Sequence, residues 1–131
     1  MAKIDLKRRA CQRFYVPGAS LSYRVHRFLL QDQDRSKDVC PVLALARGGV
    51  GFLTNHRVGR RRRLSMLLTF SAGEEPIPLE GRVVYCMPAP VTSHRYQVGV
   101  AFAPFSPEKT HNSRKALRTL ERLEKHYATS D

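Results

Sequence analysis

The 131-residue chain has no tryptophan, only three cysteines, and no apolar run longer than LSMLLTF at residues 64–70. Each scarcity excludes something. A membrane-crossing helix needs roughly 20 mostly apolar residues, so none is expected. Cys11, Cys40 and Cys86 are odd in number, widely spaced and form no CxxC pair. They fit neither a disulfide framework nor a zinc site, and they suit a reducing cytoplasm. The start, MAKIDLKRR, has no apolar stretch behind its charges, so no signal peptide is expected. Acidic residues are few as well, 11 Asp plus Glu against 23 Lys plus Arg, which leaves +12 with His neutral. Among the cations lysine is the scarce one, six against 17 arginines. Arginine's planar fork bonds phosphate two-pronged, whereas lysine acts as a point charge. The surplus therefore points to nucleotide or nucleic-acid phosphates, with a generically basic surface as the alternative.

Catalytic constellations are also missing. His26, His56, His94, His111 and His126 are scattered, with no HxH or HExxH pair. Glu74 and Glu75 fall in a turn-rich stretch, Asp32 and Asp34 in a loop, and there is no phosphate-cradling GxxxxGK[ST]. No catalytic residue, metal site or cofactor is expected, and a binding module is favoured over an enzyme.

What is present is periodicity. With 42% hydrophobic residues and no low-complexity tract, the chain has the size of one soluble domain. Residues 1–13 read as a flexible basic arm. After Pro17-Gly18, Leu21, Tyr23 and Val25 alternate with Ser22, Arg24 and His26, the period of a half-buried strand. VCPVLALA (39–46) predicts a second strand, and VGFL after Gly48-Gly49 opens a third. A longer strand is expected over Arg60 to Phe70, then LEGRVVYCM (79–87) and RYQVGVAF (95–102). About six short strands divided by turns argue for a small antiparallel barrel or sandwich over residues 14–105. The period then changes. Ser106 as N-cap, Pro107 and Glu108 predict a helix running to about Ala128, with Leu117, Leu120, Leu123 and Tyr127 on one stripe. The stripe suits packing on its own domain or a seam for self-association or a partner protein.

In order, RRxxxR in a basic arm, RFYVPGASLSYRV, xLxRGGVGF, a VG turn, GRVVYC, YQVGVAF and SPE before a helix resemble a PilZ domain. This bacterial module is best known as a receptor for the second messenger cyclic di-GMP. The resemblance runs from about Lys7 to the C-terminal helix. It implies a six-stranded antiparallel barrel of split-barrel type with a C-terminal helix, and a site shared by two motifs. The RxxxR motif falls on Arg9 and Arg13, with Arg8 as a frequent extra arginine. Guanidinium can bond phosphate or guanine O6/N7 two-pronged and stack on a purine. The second motif, [D/N]xSxxG, keeps only Gly49; Ala44 stands at the acid or amide position and Ala46 at the serine.

The function implied is a non-catalytic, cytoplasmic cyclic di-GMP-binding adaptor that works mainly through Arg8, Arg9 and Arg13 and passes its signal to a separate protein effector. Arg47, Arg61 and Arg63 are candidates for an accessory basic surface. A degenerate PilZ adaptor that binds no cyclic di-GMP and acts through protein contacts is the alternative. A basic barrel for single-stranded nucleic acid comes third, disfavoured because Tyr96 and Phe102 fall on the apolar parity rather than on a stacking platform. Self-association through the C-terminal helix stays open.

Overall fold

The computed structural model describes residues 12–26, 39–71 and 73–128. Its strands are β1 (Ser20–Val25), β2 (Cys40–Ala46), β3 (Gly49–Thr54), β4 (Arg63–Thr69), β5 (Ile77–Pro88) and β6 (Tyr96–Phe102). They close into one barrel in the order β1-β2-β3-β6-β5-β4, every neighbour antiparallel. Closure pairs each strand on both sides and removes the exposed edges of an open sheet. The alternation in sequence decides what lies inside. Leu21 and Tyr23 of β1, Phe52 of β3, Leu64, Met66 and Leu68 of β4, and Val98 and Val100 of β6 are all buried in one core. Inside it Tyr23 packs on Phe52 with ring centroids 5.5 Å apart. The Tyr23 hydroxyl is matched with Thr54 Oγ1 at 3.1 Å, so neither buried oxygen is left without a partner.

Among the described residues a single helix, α1 (Arg114–Tyr127), packs Ala116, Leu120 and Leu123 into this core. Leu120 and Leu123 of the stripe are thus used inside the domain, one of the uses the sequence left open for it, while Leu117 and Tyr127 are half-buried. Helix packing is reinforced at the rim, where Arg47 lies 3.0 Å from Glu124 and 3.6 Å from Glu121. Arg122 grips Glu74 two-pronged, at 2.6 and 3.0 Å. Those hydrogen bonds hold the Glu74 carboxyl below its usual range, against a smaller opposing effect of desolvation. A lowered carboxyl pKa stabilises the fold above the unfolded-state value, and the contribution fades as pH falls through the folded-state one. Arg122→Ala is expected to return the Glu74 titration midpoint, followed by carboxyl NMR, to the ordinary range. The melting temperature should hardly move, because the pair is exposed.

The helix expected from Ser106 begins eight residues later. Ser106 Oγ accepts from the Glu108 amide at 3.2 Å and lies 2.6 Å from His111 Nδ1, which bends the SPE segment into a local turn. Asn112 then draws the chain back onto β5. Its side chain accepts from Glu80 N at 2.6 Å and donates to the Glu80 and Ala103 carbonyls at 3.0 Å each. The amide thereby extends the ladder past the end of β6. Ser113 is the true N-cap, accepting from Ala116 N at 3.0 Å.

The RRRR run also differs from the expectation of a strand beginning at Arg60. Arg62 N bonds Gly59 O at 3.2 Å and Arg61 has a left-handed φ of 69°, so the chain turns through these residues. Only Arg63 belongs to β4. The strand expected from Arg60 therefore starts three residues later, and its alternation does not reach Arg60 to Arg62. Of the basic arm, Gln12 and Arg13 are described and Arg8 and Arg9 lie outside the described residues.

Candidate functional site

The outer face of the barrel over β2, β3 and β6 carries almost no side chains. Two registers cross it. Ala44 pairs with Gly51, which pairs with Gly99; Ala46 pairs with Gly49, which pairs with Ala101. These six residues make a smooth floor under a groove of about 860 Å³. Two β-bulges create this arrangement. In β2 the register shifts between Val42 and Ala44, and in β5 between Val83 and Tyr85. Without the first, strict alternation from buried Val42 would send Ala44 inward and Leu45 outward. With it, Leu45 is buried and both alanines face the groove. The second bulge turns Tyr85 outward, opposite Gly99. The two extra residues, Leu43 and Val84, stand on opposite rims with 37% and 53% of their surface exposed. Bulges of this kind re-aim side chains beside functional surfaces.

Glycine is required at two floor positions for different reasons. A Cβ at Gly99 would run into the Tyr85 ring, and one at Gly49 would meet the Val100 carbonyl oxygen. Gly99 lets the aromatic ring lie flat against the sheet, and Gln97 Nε2 donates to the Tyr85 hydroxyl at 3.4 Å, a long bond that sets the ring's edge. The wall opposite comes from the arm. Phe14 is buried and exchanges both backbone bonds with Leu45, each 2.8 Å. That bridge fixes the entry of the arm, so the exposed Arg13 lines the groove next to Ala44 and Ala46. A flat apolar floor, a ring at one side and a guanidinium at the other form a surface suited to a planar, anionic ligand.

Four of the residues singled out from the sequence, Arg13, Ala44, Ala46 and Gly49, thus line one groove although 31 positions in the chain separate Arg13 from Ala44. The accessory surface is not assembled there. Arg47 is engaged with Glu121 and Glu124 of α1, Arg61 is exposed in the turn, and Arg63 borders a neighbouring cavity. Tyr85, Gln97, Gly51, Gly99 and Ala101 belong to the groove and were not foreseen. The outward parity of YQVGVA, which is Gln97, Gly99 and Ala101, was a usable signal for three of them. Tyr85 was not, because its direction depends on the bulge.

A second polar constellation lies on the same outer surface. The register aligns Arg24, Ser65 and Glu80, and His26 follows on β1. Ser65 Oγ donates to the Glu80 carboxylate, 2.9 Å from each oxygen, and His26 Nε2 lies 2.7 Å from Ser65 Oγ. The serine hydroxyl is thus a donor to the carboxylate. The cluster ties three strands together.

The fold is the one the sequence implies: a closed six-stranded antiparallel barrel, PilZ-like, with a C-terminal helix. Among solved structures the chain is similar to the Bacillus subtilis inhibitor of motility MotI/DgrA, with a TM-score of 0.56 and 13% sequence identity. The similarity covers 91% of this chain and 52% of that protein, so the chain spans about half its length. Neither a protein-family model nor a curated protein matches the sequence.

Proposed function

We propose that this chain is a non-catalytic PilZ-type signalling module that binds cyclic di-GMP on the outer face of its barrel and acts on a protein partner. The observation that carries this is the meeting of Arg13, Ala44, Ala46 and Gly49, the described positions matching the two signature motifs, in one groove. The Gly and Ala floor offers a planar base an apolar surface, Tyr85 an aromatic edge, and the arm its arginines for phosphate or guanine. Arg8 and Arg9, in the same arm, are the further arginines of the site. A regulatory role is in keeping with the similarity in fold to a protein named as an inhibitor of motility.

A degenerate adaptor without ligand is the second reading, favoured by one feature. Ala44 and Ala46 present only methyl groups where the motif would supply an acid or amide and a hydroxyl, and the exposed Leu43 and Val84 make the rims apolar.

Blocking the floor separates the two. Ala101 is exposed, so Ala101→Trp fills the groove without entering the core. Its melting temperature is expected to stay within a few degrees of wild type while calorimetric binding of cyclic di-GMP disappears. Arg13→Ala should weaken binding about tenfold, the scale of one charge-assisted hydrogen bond at a solvated site. Two variants that both bind like wild type would place the ligand elsewhere or nowhere on this barrel.

A further inference from the structure

The register carries the groove beyond its floor. Phe14 faces Leu45, so Arg13 stands at the β2 edge beside Ala46. From there pairing runs Ala46, Gly49, Ala101, Arg82, Arg63 across β2, β3, β6, β5 and β4. Three residues with nothing past Cβ thus lie between one arginine and a pair of arginines. Ala101 also lines a second cavity, of about 420 Å³, whose walls include Arg63, Arg82, Thr110 and His111. At this shared point Ala101 presents only its methyl group to the two cavities.

Arg63 and Arg82 are direct cross-strand partners, and both are exposed. Like charges placed opposite each other in a sheet destabilise it. Among the described residues no carboxylate pairs with either guanidinium. The one carboxylate bordering the same cavity, Glu80, is already held by the Ser65 hydroxyl at 2.9 Å and lies 3.5 Å from His26. A solvated strand end would account for Arg63 alone. It does not account for a second arginine paired to it at the far end of a side-chain-free floor.

We infer that Arg63 and Arg82 form a second cationic pole, which takes the second phosphate of a ligand whose first phosphate is held from the Arg13 end. The three floor residues span two strand spacings, about 10 Å, and each pole stands one strand beyond them, a gap that extended arginine side chains reaching from both ends can bridge. The ligand class this selects is a dinucleotide with two phosphates rather than a mononucleotide. The pole rests on the groove being the cyclic di-GMP site, and it supplies phosphate contacts where Ala44 and Ala46 supply none.

The test is calorimetric titration of the full chain with cyclic di-GMP, comparing wild type, Arg13→Ala and Arg63→Ala/Arg82→Ala, with melting temperatures alongside. The double variant is expected to bind at least tenfold more weakly, and to lose part of the salt sensitivity of binding. Its melting temperature should hold or rise, because a like-charge pair is removed. Affinity within twofold of wild type, beside a weakened Arg13→Ala, would overturn the second pole and leave the groove reading intact. A double variant that melts well below wild type would make the pair structural and equally overturn it. A wild type that binds nothing would sink both the pole and the reading on which it rests.

Discussion

Ala44→Asp combined with Ala46→Ser is expected to raise the affinity for cyclic di-GMP by at least tenfold. The two alanines bracket buried Leu45 and both face the groove, because the β2 bulge sets their parity. Ala44 lies on the register with Gly51 and Gly99, and Ala46 on the register with Gly49 and Ala101, so the new groups would stand at one edge of the same floor. A carboxylate there would accept from the N–H donors on a guanine edge, a charge-assisted interaction of about 1.5–3 kcal/mol, and a hydroxyl adds about 1 kcal/mol. Together they correspond to roughly 100- to 1,000-fold, and solvent screening in an open groove reduces this toward the lower figure. Cyclic di-AMP should gain little, since adenine offers an acceptor where guanine offers N1–H. Calorimetry on the double variant against both ligands measures the gain and its selectivity together. No gain for cyclic di-GMP would mean that Ala44 and Ala46 are not the motif positions.

Asn112→Ala is expected to cost about 2–4 kcal/mol of stability. Asn112 is buried, and its amide satisfies Glu80 N and the Ala103 carbonyl, groups that no longer have a β6 partner beyond Phe102. Removing the amide orphans them away from water, at about 1–3 kcal/mol for each unsatisfied group. For a domain of this size the melting temperature should fall by about 10 °C. Asn112→Asp gives a sharper signature. It keeps the acceptor facing Glu80 N but turns a carboxylate oxygen toward two carbonyls, so it should be worse than alanine at neutral pH. Repulsion raises the folded-state pKa of such an aspartate, so its penalty is relieved as pH falls and the protonated oxygen can donate again. Thermal melts of both variants at neutral and mildly acidic pH read this directly. Near-wild-type melting of Asn112→Ala would mean that water replaces the amide at no cost.

The parts of the fold that were legible are those where one physical signal dominates. Period-two alternation in SLSYRV and YQVGVAF decides which side chains enter the core, and the structure buries Leu21, Tyr23, Val98 and Val100 accordingly. The helix was legible in its stripe and not in its start. Ser106-Pro107-Glu108 has the residue types of a helix N-terminus, yet Ser106 spends its hydroxyl on Glu108 and His111. The cue that mattered, Asn112-Ser113, depends on a backbone 32 residues away at Glu80. The RRRR run misled for a related reason, since Arg61 in a left-handed conformation interrupts any alternation.

The site was legible as four positions and not as a surface. RxxxR and the surviving Gly49 marked Arg13, Ala44, Ala46 and Gly49. What joins them is a pair of bulges, and a bulge leaves no mark in composition or period. The bulge at Leu43 exposes the alanines, and the one at Val84 swings Tyr85 over Gly99. Arg82 escaped notice because it stands alone in sequence, and it gains significance only from facing Arg63 across the ladder.

The most direct test of cyclic di-GMP recognition is calorimetric titration of the wild-type chain at physiological salt, with GTP and cyclic di-AMP as controls. Saturable binding of cyclic di-GMP alone is the expected result. A flat titration from a protein that melts cooperatively would contradict it, and would leave the barrel as an adaptor whose groove meets a protein instead.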